Sequence, residues 1–399
     1  MIPRMTLDIG WSDLGYGLVS TLGSSKPNYE DVESLWLKDQ CFAHLSVRSA
    51  WDTFLATRDW PKGSEVFMSA VTIPHMADIV REWGYIPVPI DLELAGMSPR
   101  LEQMKEQASE RTKAVLIAHL FGGFIDLNPI ADLCEERGWA LIEDCAQAYD
   151  GTPYRGHERS TMTMFSFGTI KSATALGGAL VTVRDKGLLQ VLVSHRDQQA
   201  LHSQGKFAFK ILKCSTLKGI GSPFLFGRLW KLASFLGIDF DQLLNSSVRG
   251  FSGDGFFERI RTQPPRALLK LLERRVSQEL ETFYAQRGEM VKALYEELPE
   301  NVRAIGKEAQ RHSSWVIPVL VPNPDKLTAM LRENGFDATC KSSSMKALKP
   351  ENGYQEVPQA EEALNEVLYL PIYHPLGVEG YRRLGKLIYE YYKLEQEDK

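Results

Sequence analysis

Between about residues 40 and 190 the chain alternates short apolar runs with helix-like stretches, an order that few architectures accept. The runs are residues 65–69, 113–119, 140–144, 163–167 and 179–183. Many are apolar without alternation, as strands covered on both faces of a parallel sheet require. Between them, residues 47–58 and 74–83 read as helices, the second closed by Gly84. Asn128 can cap a third helix, with Pro129 at its first position and Ile130, Leu133 and Cys134 on its apolar face. Residues 85–90 are held extended by Pro87 and Pro89. The expectation is an α/β fold with a mainly parallel, mixed sheet between helices. Ligands of such sheets sit at the carboxyl ends of the strands.

The chain has 399 residues, enough for a large domain and a smaller one. We expect the large domain over 1–275, with an atypical insertion at about 195–255, and a smaller α+β domain over 276–399. Residues 206–231 carry six Lys or Arg and no Asp or Glu, interleaved with Phe207, Phe209, Phe224 and Trp230. A long helix beginning near Arg266 is expected to bridge to the second domain. There a strand over 314–321, a helix over 324–334 and a terminal helix over 379–394 follow. The net charge of −5 argues against a nucleic-acid partner. Five cysteines without a Cys-x-x-Cys pair argue against a disulfide framework or a structural metal, and fit a reducing compartment. The start of the chain has no apolar signal core, and no apolar run is long enough to span a bilayer, so cytoplasm is the expected location.

Two of the apolar runs end in chemistry. Residues 140–144 close on Asp144, and residues 163–167 lead through Gly168 to Lys171, which is followed by the small residues 172–178. A lone lysine there is a surface group by default, and Asp144 alone is a helix cap. Together they offer an amine for a Schiff base and an acid for a pyridinium nitrogen, the two groups that pyridoxal phosphate (PLP) needs from a protein. Gln147 is either a loop residue or a contact to the ring oxygen. Ser49 and Ala50 stand where a loop enters a helix, a place that suits phosphate. Ser166 is a second hydroxyl for it, and Thr72 lies at another strand-to-helix turn.

With these pieces in order, the chain resembles the DegT/StrS-type (sugar) aminotransferases, a family of fold-type I PLP enzymes. The resemblance rests on Gly63-Ser64-Glu65-Val66, the Thr72 turn, residues 113–122, Ile142-Glu143-Asp144 with Ala146-Gln147, Ser166-Phe167 with Lys171, Gly177-Gly178 and residues 366–371. It implies that Lys171 is the Schiff-base lysine, Asp144 the pyridine-nitrogen partner and Gln147 the ring-oxygen contact, with Ser49, Ala50 and Ser166 on the phosphate. It also implies a homodimer with active sites at the interface. The implied activity is transfer of an amino group from an amino-acid donor such as glutamate to a keto or aldehyde acceptor, a nucleotide-linked keto-sugar or a natural-product intermediate. Two alternatives remain open: elimination, decarboxylation or cyclisation on an amino substrate, and a non-catalytic regulatory protein on the same fold.

The sequence departs from the family in its substrate half. Ile73 stands where an aromatic residue usually covers the ring, with His75 two residues on. Residues 156–163 lack the usual Gly-Asp. The hairpin that the neighbouring subunit contributes is represented by Arg259, Arg261 and Gln263, and residues 339–344 replace a His-Tyr stretch. The segment 206–231 reads as a lid or dimer-interface element; its apolar-basic character also suits a membrane, a lipid-linked substrate or a carrier protein.

Overall fold

The computed structural model describes residues 1–4, 6–236, 255–309, 311–340, 344–351 and 353–397. Seven strands form the central sheet: Cys41–His44 (β1), Glu65–Ser69 (β2), Ile86–Ile90 (β3), Thr112–Ala118 (β4), Ala140–Asp144 (β5), Met162–Ser166 (β6) and Ala179–Thr182 (β7). Their order is β1-β7-β6-β5-β4-β2-β3. The pairs from β6 through β5, β4 and β2 to β3 are parallel, and β7 is antiparallel to both β6 and β1. The apolar runs explain this placement. Strands β2, β4, β5 and β6 are almost entirely buried, and their side chains feed apolar clusters on both faces. On one face Met68, Met164 and Val181 pack with Ala50, Trp51 and Phe54; on the other Phe67, Val115 and Leu141 pack with Ile130 and Leu133.

Helix α1 (Trp11–Ser20) and helix α2 (Val47–Ala56) flank the sheet, followed by α3 (Pro74–Glu82) and α4 (Asn128–Arg137). The apolar-basic segment folds as α5 (Gln204–Ile220) and α6 (Pro223–Phe235). Its continuation over 237–254, part of the expected insertion, lies outside the described residues. Helix α5 turns Phe207, Ile211 and Cys214 into the core, and Gly17 of α1 lets it approach: a Cβ at Gly17 would stand 3.3 Å from Ile211 and 3.0 Å from Leu271.

The long bridging helix expected from Arg266 is two helices, α7 (Arg266–Val276) and α8 (Glu281–Tyr295). The break follows from Arg275. Its guanidinium reaches Asp13 at 2.9 Å and the Asp8 carbonyl at 2.7 Å, and Gln278 folds back to bond both Arg275 and Asp13. The strand expected over 314–321 narrows to Ile317–Leu320, because Ser314 sits at φ +51°, outside the extended region. The C-terminal region has its own apolar cluster, built from Leu294, Val319, Leu368, Leu384 and others around a three-stranded antiparallel sheet and the last helix, α9 (Gly377–Glu397). The first residues of the chain attach there: Arg4 pairs with the buried Asp337 at 2.7 Å. No helix among the described residues is long and apolar enough to cross a membrane.

Two short pairings tie the C-terminal region to the strand ends. Lys346–Ala347 pairs with Val71–Thr72, and Arg311–His312 with Gly123–Phe124. At the second junction Gly122 adopts φ +97°, and a Cβ there would lie 2.2 Å from Ser313 Oγ. Gly122→Ala is therefore expected to destabilise the protein by at least ~1–3 kcal/mol from the backbone alone, read as a lowered denaturation midpoint. Unchanged stability would contradict this account of the junction.

Candidate active site

The carboxyl ends of β4, β5 and β6, the start of α2 and the loop 166–178 wall a cavity of about 1110 Å3. Asp144 and Lys171 both line it. Asp144 ends β5 because its oxygen turns the chain: Oδ1 accepts from Ala146 N–H at 2.8 Å. Burial pushes its carboxyl above the ordinary value, against the opposing pull of that N–H, Lys171, His119 and Arg48.

Lys171 leaves a turn in which its own N–H donates to the Gly168 carbonyl at 2.9 Å. Its Nζ lies 3.9 Å from the centre of the Trp315 ring, and Trp315 Nε1 donates to the Ile170 carbonyl at 2.9 Å. Trp315 thus clamps the turn and dries one side of the amine. Burial brings the Lys171 pKa down to about 7; Asp144 opposes the shift and Arg48 adds to it. Beyond the lysine, Ala173 and Leu176 adopt positive φ, +49° and +63°. This costly loop conformation is held by Asp8 and Tyr284, which both accept from Ala173 N–H, and by Thr174 Oγ, which donates to the Gly168 carbonyl.

The amine's titration is directly measurable. In the cofactor-free protein, competitive labelling of Lys171 is expected to rise as pH passes from about 6 to about 8, since the neutral amine is the nucleophile. Arg48→Gln should move the midpoint upward, because Arg48 lowers it. A midpoint in the ordinary lysine range would contradict the desolvated setting.

Behind Asp144 lies a saturated carboxylate. Glu143 accepts from His119 Nε2 at 2.9 Å, Cys145 Sγ at 3.3 Å, the His157 N–H at 2.8 Å, Ser160 at 3.2 Å, Thr163 at 3.0 Å and Tyr154. Burial alone would raise its pKa, but His119 and the other donors hold it at about 2. His119, Glu143 and Cys145 come close enough to suggest a metal site. Their ligand atoms are already bonded to one another, and burial keeps the Cys145 thiol protonated, so the group reads as a hub that fixes the end of β5.

The other expected site residues divide. Thr72, Ile73, His75, Gln147 and Ser166 line the cavity. Gln147 spends its oxygen on Phe121 N–H at 2.7 Å, and His75 stacks on Phe256 at 4.1 Å. Ser49 and Ala50 do not line it. Ser46 caps α2, its Oγ accepting from Ser49 N–H at 3.1 Å, so positions 49 and 50 turn into the core and Ser46, Val47 and Arg48 face the cavity instead. Arg261 does not line this chain's cavity either: Asp52 and Glu82 hold its guanidinium at 2.9 and 3.2 Å. Of the stretch 339–344, Thr339 and Ser344 line the cavity, and residues 341–343 lie outside the described residues. Trp315, Arg48 and Lys210 are cavity residues that the sequence reading did not single out.

This arrangement presents an amine near neutrality, a recessed carboxylate and a helix start with flanking hydroxyls in one cavity. Comparison with known proteins gives the same direction. GDP-perosamine synthase from Vibrio cholerae is 30% identical over 128 residues, 32% of this chain and 33% of that protein. The chain thus spans about a third of that relative. A pleiotropic regulatory protein from Geobacillus stearothermophilus is 26% identical over 341 residues, 83% of this chain and 79% of that one. Among solved structures, the Helicobacter pylori aminotransferase PseC, involved in pseudoaminic acid biosynthesis, superposes with a TM-score of 0.70 at 14% identity, covering 98% of both chains. The fold is that of the fold-type I PLP aminotransferases. Residues 21–211 match the profile of the DegT/DnrJ/EryC1/StrS aminotransferase family.

Proposed function

We propose that the protein is a PLP-dependent aminotransferase that moves an amino group from an amino-acid donor, glutamate or a close analogue, to a keto or aldehyde acceptor such as a keto-sugar. The observation that carries this reading is the pairing of Asp144 with a Lys171 amine whose pKa lies at about 7, in one cavity at the strand ends. The donor set fits PLP. Lys171 offers an unprotonated amine to the aldehyde, Asp144 an anionic oxygen to the ring nitrogen, and Ser46, the first N–H groups of α2 and Ser166 a setting for the phosphate. When bound, PLP supplies the electron sink that acidifies the donor's α-carbon.

Around that group each residue has a separable task. Lys171 Nζ removes the donor's α-proton and returns it on the other side of the exchange, which a base near neutrality does well. Asp144 keeps the ring-nitrogen proton in place. Trp315 covers Lys171 and keeps water from the amine. Gln147, its oxygen held by Phe121 N–H, would be the contact to the ring oxygen. Ile73 and His75 are candidates to cover the ring. A homodimer in the cytoplasm is part of the proposal, and the exposed Trp11, Val19, Phe224 and Phe235 support a protein partner surface. Arg261 is the residue proposed to reach the neighbouring subunit's cofactor.

The test is the first half-reaction without acceptor. Mixing the PLP-loaded protein with glutamate is expected to release about one equivalent of 2-oxoglutarate per site. If no amino acid in a broad donor panel yields its keto acid, the transaminase reading fails. Release of ammonia or carbon dioxide instead favours the elimination or decarboxylation alternative. The name of the Geobacillus relative motivates a regulatory reading, against which the retained Lys171 and Asp144 weigh.

A further inference from the structure

Helices α5 and α6 follow one another with only Gly221 and Ser222 between them. Each has an inner stripe that holds it to the body of the protein. On α5 the stripe is Phe207, Ile211 and Cys214, spaced 4 and 3 residues apart and buried in the core beside α1 and α7. On α6 it is Phe226 and Ala233, which pack with Leu229 and Trp230 against Met1. The approach is close: a Cβ at Gly227 would stand 2.9 Å from Met1 N.

The faces turned the other way are not simply polar. On α6, Phe224, Leu225, Arg228, Lys231, Leu232 and Phe235 recur at intervals of three and four, and all are exposed. On α5 the exposed positions include Lys206, Phe209, Leu212 and Lys213. Phe209, Phe224 and Phe235 are 70%, 65% and 87% exposed. Single exposed apolar residues need no explanation, but a row of them along two consecutive helices does. Cations stand among them throughout. Among the described residues, Lys206, Lys213 and Lys231 make no ion pair, and Arg228 lies over the Phe224 ring at 3.5 Å. Residues 206–231 carry no acid, in a chain whose net charge is −5.

We infer that the outer faces of α5 and α6 form a docking surface for an anionic lipid bilayer. The charge selects this occupant. A second copy presenting the same face would set cations against cations, since a two-fold contact uses one patch twice. Trp11 and Val19 of α1 lack that company of cations and stay open to a protein partner. A bilayer surface supplies anionic headgroups to the lysines and an apolar layer beneath for the Phe and Leu side chains. Lysine stems reach the headgroups while the rings enter deeper. A fluid surface also needs no shape match to long side chains spread over two helices. No described helix is long and apolar enough to cross a bilayer, so the contact runs along the helix sides. The inference does not depend on the transaminase reading.

The experiment is co-sedimentation of the intact PLP-loaded protein with phosphatidylcholine vesicles, with and without phosphatidylserine. Wild type is expected to bind the anionic vesicles, to bind the neutral ones far less, and to dissociate as salt rises. Arg228→Gln with Lys231→Gln should weaken binding by about tenfold or more, each charge near the surface being worth about fivefold. Phe224→Ser with Phe235→Ser should weaken it by at least about tenfold. None of these four residues lines the cavity, so the thermal midpoint and the donor half-reaction in solution should stay as in wild type. Equal binding to the two kinds of vesicle, or binding to neither, overturns the inference without any variant. Undiminished binding by either variant overturns it as well. A phenylalanine variant that turns from dimer to monomer in sedimentation, yet keeps its vesicle binding, gives the face to a second copy instead.

Discussion

Lys171→Ala is expected to reduce turnover by about 10^3-fold or more, while the fold persists. The size follows from the two jobs proposed for Lys171, covalent attachment of the cofactor and proton transfer, of which the second alone is worth about 10^2–10^4-fold. No second amine can take over easily. Lys210 lines the same cavity, but it is on α5 and the groups that act on its charge are Cys214, Lys213 and Arg48. Stability should move the other way. A lysine whose folded pKa lies at about 7, well under its ordinary value, binds fewer protons folded than unfolded. It therefore costs stability at neutral pH, a cost that shrinks as pH rises toward the unfolded pKa. Removing it is expected to leave the thermal midpoint at neutral pH equal or higher. A Lys171→Ala protein with wild-type turnover would contradict the mechanism, and one that fails to fold would contradict the electrostatic account. Lys171→Arg separates the roles, since it keeps a cation beside Trp315 and cannot supply a neutral amine.

Asp144→Asn should cost about 10^2–10^3-fold in turnover, the range for removing one preorganised charge from a transition state. The amide keeps the size and the acceptor oxygen for Ala146 N–H, so the turn after β5 should survive. What disappears is the negative charge proposed to face a protonated ring nitrogen. Two further signs are fixed by the electrostatics. Asp144 raises the pKa of Lys171, so the Lys171 midpoint should fall in the variant. The folded pKa of Asp144 is itself raised by burial, so its ionised form costs stability once pH exceeds the unfolded value. The variant should thus be no less stable than wild type at neutral pH. Steady-state kinetics, labelling against pH and thermal unfolding read the three effects independently. A drop in turnover with a rise in the Lys171 midpoint would contradict the pairing of these two groups.

Much of this site was legible because local chemistry announced it. The run Ala140–Asp144 is apolar until its last two positions, and Lys171 follows an apolar strand through Gly168; each pattern marks a strand end without reference to the rest of the chain. The start of α2 was harder. Ser46 and Ser49 are both good caps by residue type, and only the extended backbone of Ser46, with its oxygen on Ser49 N–H, decides between them. That choice puts Ser46, Val47 and Arg48 on the cavity wall in place of Ser49 and Ala50. The break between α7 and α8 depends on Asp8 and Asp13, more than 250 positions away from Arg275, and helical periodicity carries no trace of it. Trp315 lay in an expected strand and became the cover of Lys171 through a tertiary contact. The lysines of α5 were visible as composition, and only the cavity gave them a direction.

The most direct measurement of the central claim is reductive trapping. The protein is incubated with PLP, treated with borohydride, digested, and its peptides are mapped by mass spectrometry. The account predicts a phosphopyridoxyl group on Lys171, lost in Lys171→Ala and weakened in Asp144→Asn. Stoichiometric labelling of a different lysine, or no labelling of the native protein while the denatured chain labels freely, would contradict it.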